Sequence, residues 1–218
     1  EDGHVLAGIA NGAIVRVAAE GLAIEQVDEV PGIPRWIGRR AKDRGLLFAY
    51  QTDALGAARL RDVTSGRVHE LGAWPVLFLD GKDRLWIGGD RVQRLDLGSG
   101  ERAEIELKGG LAGVLGFAEL SDGQVWAFGG KQGHSDGSAF IARVHPGSKP
   151  LLLYEGASKR PKAGAPGAPI THVLEDSTAG QVMVVSRDSV SLTDVGAREW
   201  KPLETMAGGR QVPVPQAL

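Results

Sequence analysis

The chain repeats a short pattern about every forty residues, and this repeat restricts its fold more than any other feature. Each copy has an acidic or glycine-containing turn followed by a short apolar segment. The clearest copy reads DGKDRLWIGG at 80–89 and continues as VQRLDLGSGE at 92–101. Four short apolar segments separated by Gly, Asp and Ser turns are typical of four antiparallel strands. A sheet this small has two apolar faces, so we expect each copy to stack on its neighbours.

The spacing of the turns predicts the architecture. Their equivalent residues are Gly3, Gly45, Asp83, Gly123 and Gly180, separated by 42, 38, 40 and 57 residues. The longer last spacing coincides with two insertions, at 131–138 and 158–167. A four-stranded unit of about forty residues is the period of a β-propeller blade. We therefore predict one all-β domain over residues 1–218, a β-propeller in which Trp86 and Trp126 pack between blades.

Five four-stranded blades are predicted, with strands A to D numbered from the axis outward. The segment VPVPQAL at 212–218 resembles a strand A such as APITHVL at 168–174, whereas residues 1–10 resemble the strand B that follows. Pairing of 212–218 with 5–10 would close the ring and remove exposed sheet edges. The predicted blades are 1–30 with 212–218, 35–72, 75–108, 113–155 and 169–205. The alternative is that these repeats are a piece of a longer protein whose ring has six to eight blades.

Composition excludes several classes of function. The net charge is −2, from 25 basic and 27 acidic residues without a basic stripe, so we expect no nucleic-acid partner. No apolar run approaches the roughly 18 residues of a membrane-spanning helix, so we expect no direct membrane insertion. Cysteine is absent, which excludes disulfides, thiolate metal ligands and a cysteine nucleophile.

The phrases at 80–101 and LSDGQVWAFGG at 120–130 resemble the two-component-regulator propeller repeat. A second resemblance, to kelch propellers, comes from the Gly-Gly pairs at 88–89 and 129–130 and from EWKPLETMAGGR at 199–210. The first two blades lack the strand-B Trp, and the WD40 signature is absent. The resemblance implies a sensor or interaction module that binds a ligand or a protein, and it does not imply an enzyme. Such repeats are often found in extracytoplasmic (periplasmic or secreted) sensor regions or attached to larger proteins, so we expect an extracytoplasmic setting.

Both insertions fall on one face of the predicted ring. KQGHSDGS at 131–138 is a loop between strands B and C, and 156–168 connects strand D to the next strand A. Loops on a rigid scaffold frequently carry binding residues. We expect this loop face to bind a protein partner or a small polar or anionic ligand through Lys131, Gln132, His134, Ser135, Asp136, Lys159, Arg160 and Lys162. Alternatively, 158–167 is a disordered surface loop.

Each turn between strands B and C contains an acidic residue or Asn. These residues are Asn11, Asp53, Asp90, Asp136 and Asp188. On a closed ring they could bind a hard cation or a polar ligand, since Ca²⁺ prefers clustered oxygen ligands. The favoured interpretation is that tight hairpins require Asn or Asp. Asp90 and Asp188 adjoin Arg91 and Arg187, which could neutralise them, and these four residues complete the predicted binding face.

No catalytic constellation is recognised in the sequence. Its five histidines form no HExxH motif, and the carboxylates Asp80, Glu119 and Glu175 lie at the ends of the predicted inner strands. We therefore predict no catalytic residue, no metal and no cofactor. One alternative is a metal-dependent propeller lyase or hydrolase that uses His134, His172 and the ring carboxylates. The other is an architectural repeat domain of a larger protein.

Overall fold

The chain folds into β-strands and turns. The computed structural model describes residues 4–18, 23–52, 57–73, 75–89, 91–107, 113–130, 139–145, 149–156, 164–167, 169–187, 189–203, 206–207 and 210–211. Every regular element in these ranges is a strand. Within them, no helix has the length and apolar character needed to cross a membrane.

Five small antiparallel sheets follow one another along the chain, and in each the strands pair in sequence order. Sheet I contains β1 (His4–Gly8), β2 (Ala13–Ala18) and β3 (Ile24–Glu29). Sheet II contains β4 (Ile33–Arg39), β5 (Leu46–Gln51), β6 (Ala58–Asp62) and β7 (Val68–Gly72). Sheet III contains β8 (Val76–Leu79), β9 (Arg84–Gly88), β10 (Val92–Asp96) and β11 (Arg102–Ile105).

The last two of these sheets also have four strands in the described residues. Sheet IV contains β12 (Val114–Glu119), β13 (Val125–Gly130), β14 (Ala139–Val144) and β15 (Leu151–Gly156). Sheet V contains β16 (Ile170–Asp176), β17 (Gln181–Ser186), β18 (Val190–Thr193) and β19 (Lys201–Pro202). A short ribbon of β20 (Met206–Ala207) and β21 (Arg210–Gln211) follows.

The sheets stack face to face in chain order, with a separate apolar cluster between each neighbouring pair. Trp86 fills the interface between sheets III and IV, and Trp126 fills the next one; both are fully buried, as predicted. The first strands β4, β8, β12 and β16 contact one another in turn. They are therefore the inner strands of successive blades.

The turn between the first two strands needs a left-handed residue. Asp83, Gly123 and Gly180 take that role, with φ of 59°, 78° and 62°. The prediction that Gly45 is equivalent to Asp83 and Gly123 is wrong by one position. The left-handed residue is Arg44, with φ of 61°, and Gly45 instead accepts a backbone hydrogen bond from Arg40.

The described residues do not include the segment that is predicted to close the ring. Sheet I has three strands in the described part of the chain. The segment 212–218, which is predicted to add its strand A, lies outside the described residues. The five-bladed ring and its blade boundaries therefore stay predictions.

Candidate functional site

A wide cleft of about 970 Å³ opens where the inner strands of sheets III, IV and V end. We call it the inner cleft. It lies among β8, β12 and β16 and the turns that follow them. Its side chains include the apolar Phe78, Phe117 and Phe128 and the polar Lys82, Glu119, Ser121, Asp122, His172, Glu175 and Ser177.

Stacked aromatic rings support the apolar side of the inner cleft. The rings of Phe78 and Phe117 stack with centroids 6.3 Å apart and an interplanar angle of 26°. Trp86 lies behind them, with its ring centroid 6.3 Å from that of Phe117. Offset aromatic pairs at this spacing attract one another beyond the burial of their surface. The apolar wall is consequently part of the core between two blades.

Two carboxylates of the inner cleft connect neighbouring blades. Glu119, which ends β12, accepts a 2.6 Å hydrogen bond from the backbone N–H of Gly81 in the preceding blade. Glu175, on β16, accepts hydrogen bonds from both the backbone N–H and the hydroxyl of Ser121, the latter at 2.9 Å. Each glutamate therefore fixes the turn of the blade before it.

A different residue makes the equivalent connection between sheets II and III. There Leu79 occupies the place of Glu119 at the end of the inner strand. The connecting role of the glutamate is taken by the turn residue Asp83, which accepts hydrogen bonds from the backbone N–H groups of Ala41 and Lys42 in the preceding blade. Sequence reasoning located Glu119 and Glu175 at the ends of inner strands but missed this connecting role. The sequence does carry a signal for this role, because a glutamate occurs at the same position in two successive repeats.

His172 lies on the wall of the inner cleft and is exposed to solvent. Its Nδ1 is 3.1 Å from the hydroxyl of Thr171. A metal site needs several such side chains to converge. Among the described residues, no group of three or more His, Asp or Glu side chains could hold a metal ion.

Most of the predicted binding residues lie outside the described part of the chain. They are Lys131, Gln132, His134, Ser135, Asp136, Lys159, Arg160, Lys162, Asp90 and Asp188. Their role therefore stays a prediction.

The two predicted arginines are described, and neither lines the inner cleft. Arg91 is exposed and forms an ion pair with Glu104, at 3.1 Å between Nη1 and Oε1. Arg187 is also exposed, and its backbone N–H donates to the carbonyl of Pro169, just before β16. Arg187 therefore lies at the opposite end of β16 from the inner cleft.

The interpretation of 158–167 as a disordered surface loop is wrong for residues 164–167. Ala165 is buried in the cluster between sheets IV and V. The carbonyl of Pro166 accepts a 2.8 Å hydrogen bond from the hydroxyl of Tyr154, and the N–H of Gly167 donates to Ser186. These contacts hold the end of the insertion against the core.

Asn11 has the hairpin role favoured for the Asp and Asn residues between strands B and C. Its Oδ1 accepts a 3.1 Å hydrogen bond from the backbone N–H of Ala13, at the beginning of β2. The equivalent residues Asp53 and Asp136 lie outside the described part of the chain.

No family model matches the chain, and no curated protein sequence matches it. Several solved structures resemble the chain over more than nine tenths of its length. An oligogalacturonate lyase in complex with manganese shares 11% identity at a TM-score of 0.65, over 96% of this chain and 65% of its own. An auxiliary nutrient binding protein from Bacteroides thetaiotaomicron shares 9% identity at a TM-score of 0.55, over 93% of this chain and 54% of its own. A nidogen/laminin complex shares 14% sequence identity at a TM-score of 0.57, over 92% of this chain and 77% of its own.

The fold is that of a β-propeller. Identities this low show the fold alone, and the chain spans less than two thirds of the first two structures. The predicted propeller scaffold is confirmed in this coarse form. The finer resemblance to two-component-regulator or kelch repeats stays a prediction, because no family model supports it.

Proposed function

We propose that this chain is a non-catalytic binding β-propeller and that the inner cleft accommodates a small polar ligand. One observation carries the proposal: the cleft combines the stacked wall of Phe78 and Phe117 with a polar rim. Ligand sites are typically concave and mainly apolar, with a few fixed polar groups that orient the ligand. Both parts are present in the inner cleft.

The charges on the rim favour a ligand that donates hydrogen bonds. Among the described residues that line the cleft are three carboxylates, those of Glu119, Asp122 and Glu175, and one lysine, Lys82. Ionised carboxylates act only as acceptors. A neutral ligand with several hydroxyl groups, or one with N–H groups, therefore suits this rim better than an anion.

Hydrogen bonds hold two carboxylates of the rim in fixed positions. Both oxygens of Glu175 accept from Ser121, and Glu119 accepts from Gly81. These contacts fix the side chains before any ligand arrives. A preorganised acceptor loses little conformational entropy on binding.

A ligand screen with a matched pair of variants tests the cleft. Neutral monosaccharides and amino acids are added to the purified chain, and a rise in the melting temperature identifies a binder. Ser177→Trp fills the cleft, whereas Thr178→Trp adds the same bulk at the next residue, which does not line it. We expect Ser177→Trp to weaken binding of that compound at least tenfold in calorimetry and Thr178→Trp to leave it unchanged. Equal binding by the two variants, or no binder for the natural chain, would refute the proposal.

The loop face is proposed as a second surface, for a protein partner or an anionic ligand. Two observations support it. Both insertions are predicted to lie on this face, and the exposed Arg187 lies beside the beginning of β16, at the opposite end of that strand from the inner cleft. Because Ala165 and Pro166 are buried, the test replaces only 158–163 with a Gly-Ser linker of equal length. We expect capture of the partner to be lost and the melting temperature to stay within about 2 °C, since surface changes away from packed features have little effect. Unchanged capture would remove the role of this loop.

The metal-dependent lyase stays as an alternative because His172 lines the cleft near Glu175. It predicts cleavage of a uronic-acid oligosaccharide that requires added manganese, stops with a chelator and fails in His172→Ala. The binding proposal predicts no cleavage with or without manganese. The architectural alternative predicts that neither surface binds anything.

A further inference from the structure

A second pocket, of about 310 Å³, lies on sheet IV. We call it the outer pocket. Its described lining residues are Gln124, Arg143, Val144 and His145, none of which lines the inner cleft. Gln124 directly precedes β13, whereas the other three lie at the end of β14 or just after it. The outer pocket is therefore built from the second and third strands of one sheet.

The outer pocket contains a positive charge that forms no ion pair with any described residue. The guanidinium of Arg143 is partly buried, and its Nη1 donates a 3.2 Å hydrogen bond to the neutral Oε1 of Gln124. The amide of Gln124 is oriented by Asp122, which accepts from its Nε2 and does not line the outer pocket. A guanidinium has five N–H donors, and a charge removed from water is normally paired. Arg143 therefore has donors and charge available for a ligand.

Sheet III contains an arginine at the equivalent position. Arg94 on β10 pairs with Trp86 on β9, and Arg143 on β14 pairs with Trp126 on β13 in the same way. Residues that are directly opposite across two strands project from the same face of the sheet. Each arginine therefore shares a sheet face with a buried tryptophan.

A carboxylate balances the arginine of sheet III. Asp96 lies two residues beyond Arg94, on the same face of the strand. Hydrogen bonds from Ser99 lower the pKa of Asp96, and the nearby charge of Arg94 lowers it further. In sheet IV the residue two positions beyond Arg143 is His145. The arginine is present in both sheets, whereas this carboxylate is present only in sheet III.

A second acceptor also differs between the two sheets. In sheet III the carboxylate of Asp80 accepts a hydrogen bond from Nε1 of Trp86. In sheet IV Leu120 takes that place, and Nε1 of Trp126 has no partner among the described residues. Sheet IV therefore has the donors of sheet III without either of these two carboxylates.

We propose that the outer pocket binds the carboxylate of a small organic acid and that Arg143 is its principal donor. A carboxylate accepts two parallel N–H bonds from one guanidinium, which makes this pair specific as well as strong. The ligand supplies to sheet IV the negative charge that Asp96 supplies to sheet III. The volume lies at the lower end of the range for ligand pockets, about 300–1,000 Å³, so it suits a small acid. The proposal does not rest on the inner cleft, with which the outer pocket shares no described lining residue.

Calorimetry with succinate tests the role of Arg143. Sodium chloride keeps the ionic strength equal in all samples, because salt screens charges near the surface. We expect succinate to bind the natural chain and Arg143→Gln to weaken this binding at least about tenfold, since hydrogen bonds between charged groups are the strong ones. Arg94→Gln, the matched change in sheet III, should leave succinate binding unchanged because Arg94 lies outside the outer pocket.

A second pair of variants tests the proposal without removing Arg143. His145→Asp places a carboxylate where sheet III has Asp96, so Arg143 gains a partner within the chain. We expect its affinity for succinate to fall at least tenfold below that of His145→Asn, which has the same size without the charge. His145 is exposed, so both variants should fold.

Four results would overturn the proposal. The first is a Kd for succinate weaker than about 1 mM in the natural chain. The second is an equal effect of Arg143→Gln and Arg94→Gln, and the third is equal binding by His145→Asp and His145→Asn. The fourth is binding of inorganic phosphate at least tenfold tighter than that of succinate, which would assign the pocket to a different anion.

Discussion

Trp86 donates a 2.9 Å hydrogen bond from Nε1 to the buried carboxylate of Asp80, whereas the equivalent Trp126 has no partner for its Nε1 among the described residues. Both rings are fully buried between blades. The difference arises from one residue, because Leu120 occupies in sheet IV the place that Asp80 has in sheet III. The buried indole N–H at this packing position therefore has a hydrogen-bond acceptor in one blade and none among the described residues in the next.

Replacing each tryptophan by phenylalanine should separate packing from hydrogen bonding. Both variants lose a similar volume, but only Trp86→Phe removes a hydrogen bond to a charged acceptor. Such a bond contributes about 1.5–3 kcal/mol, and a buried N–H without a partner is itself destabilising. We expect Trp86→Phe to lower the free energy of unfolding by about 2 kcal/mol more than Trp126→Phe, measured by urea denaturation. Equal losses would mean that the hydrogen bond to Asp80 has no net value.

Asp80 should be among the most important polar residues for stability. Its carboxylate is almost fully buried and accepts hydrogen bonds from Arg84 Nε at 2.6 Å and from the backbone N–H of Lys82. Removing one partner of a buried charged pair costs about 3–5 kcal/mol, because the other charge is left uncompensated. We expect Asp80→Ala to lose about this much in urea denaturation. Asp122→Ala, at an exposed turn position of the next blade, should lose about 1 kcal/mol or less.

The repeat period predicts stacked sheets because each sheet is built from local hairpins, whose turns carry recognisable residues such as Asp83 and Gly123. The prediction fails by one residue at Gly45, since the turn after β4 is one residue longer and Arg44 takes the left-handed position. No local rule marks Arg44, because a non-glycine residue in this conformation depends on its surroundings.

The inner cleft is harder to predict than the sheets. Its carboxylates contact turns of the preceding blade, and residues as distant in sequence as Glu175 and Ser121 meet there. The spacing of repeats places Glu119 and Glu175 at the ends of inner strands but gives no partner atoms. Sequence reasoning favoured the loop face because insertions are visible in the sequence, whereas a cleft made by three ordinary turns is not.

The connection between Glu175 and Ser121 should be measurable as a coupling energy. The hydroxyl of Ser121 lies 2.9 Å from Glu175 Oε1. A double-mutant cycle of Glu175→Ala and Ser121→Ala isolates this bond, since the backbone contact is lost in both variants that lack the carboxylate. We expect a coupling of about 0.5–1.5 kcal/mol by urea denaturation, the usual net value of one hydrogen bond. Perfect additivity would show that this contact contributes nothing. Pairing Glu175→Ala with Ser99→Ala, on sheet III, should give no coupling.

His69 should make the stability of the chain depend on pH on the acid side of neutrality. It lies on β7, with its Cε1 3.7 Å from the position a side chain would take at Gly100 in sheet III. Its Nε2 is buried and has no hydrogen-bond partner among the described residues. Burial lowers the pKa of His69 below its ordinary value of 6.5, and the nearby positive charge of Arg102 lowers it further.

The lowered pKa fixes the sign of this pH effect. Below pH 6.5 the unfolded chain binds a proton at His69 that the folded chain resists, so the unfolded state gains stability as the pH falls. The free energy of unfolding should therefore decline from pH 6.5 down to the pKa of the folded state and lose no more from this residue below it. His69→Gln should flatten that decline in a series of urea denaturation measurements between pH 5 and pH 7. If His69→Gln keeps the full slope, other groups cause it, and the burial of His69 has no consequence for folding.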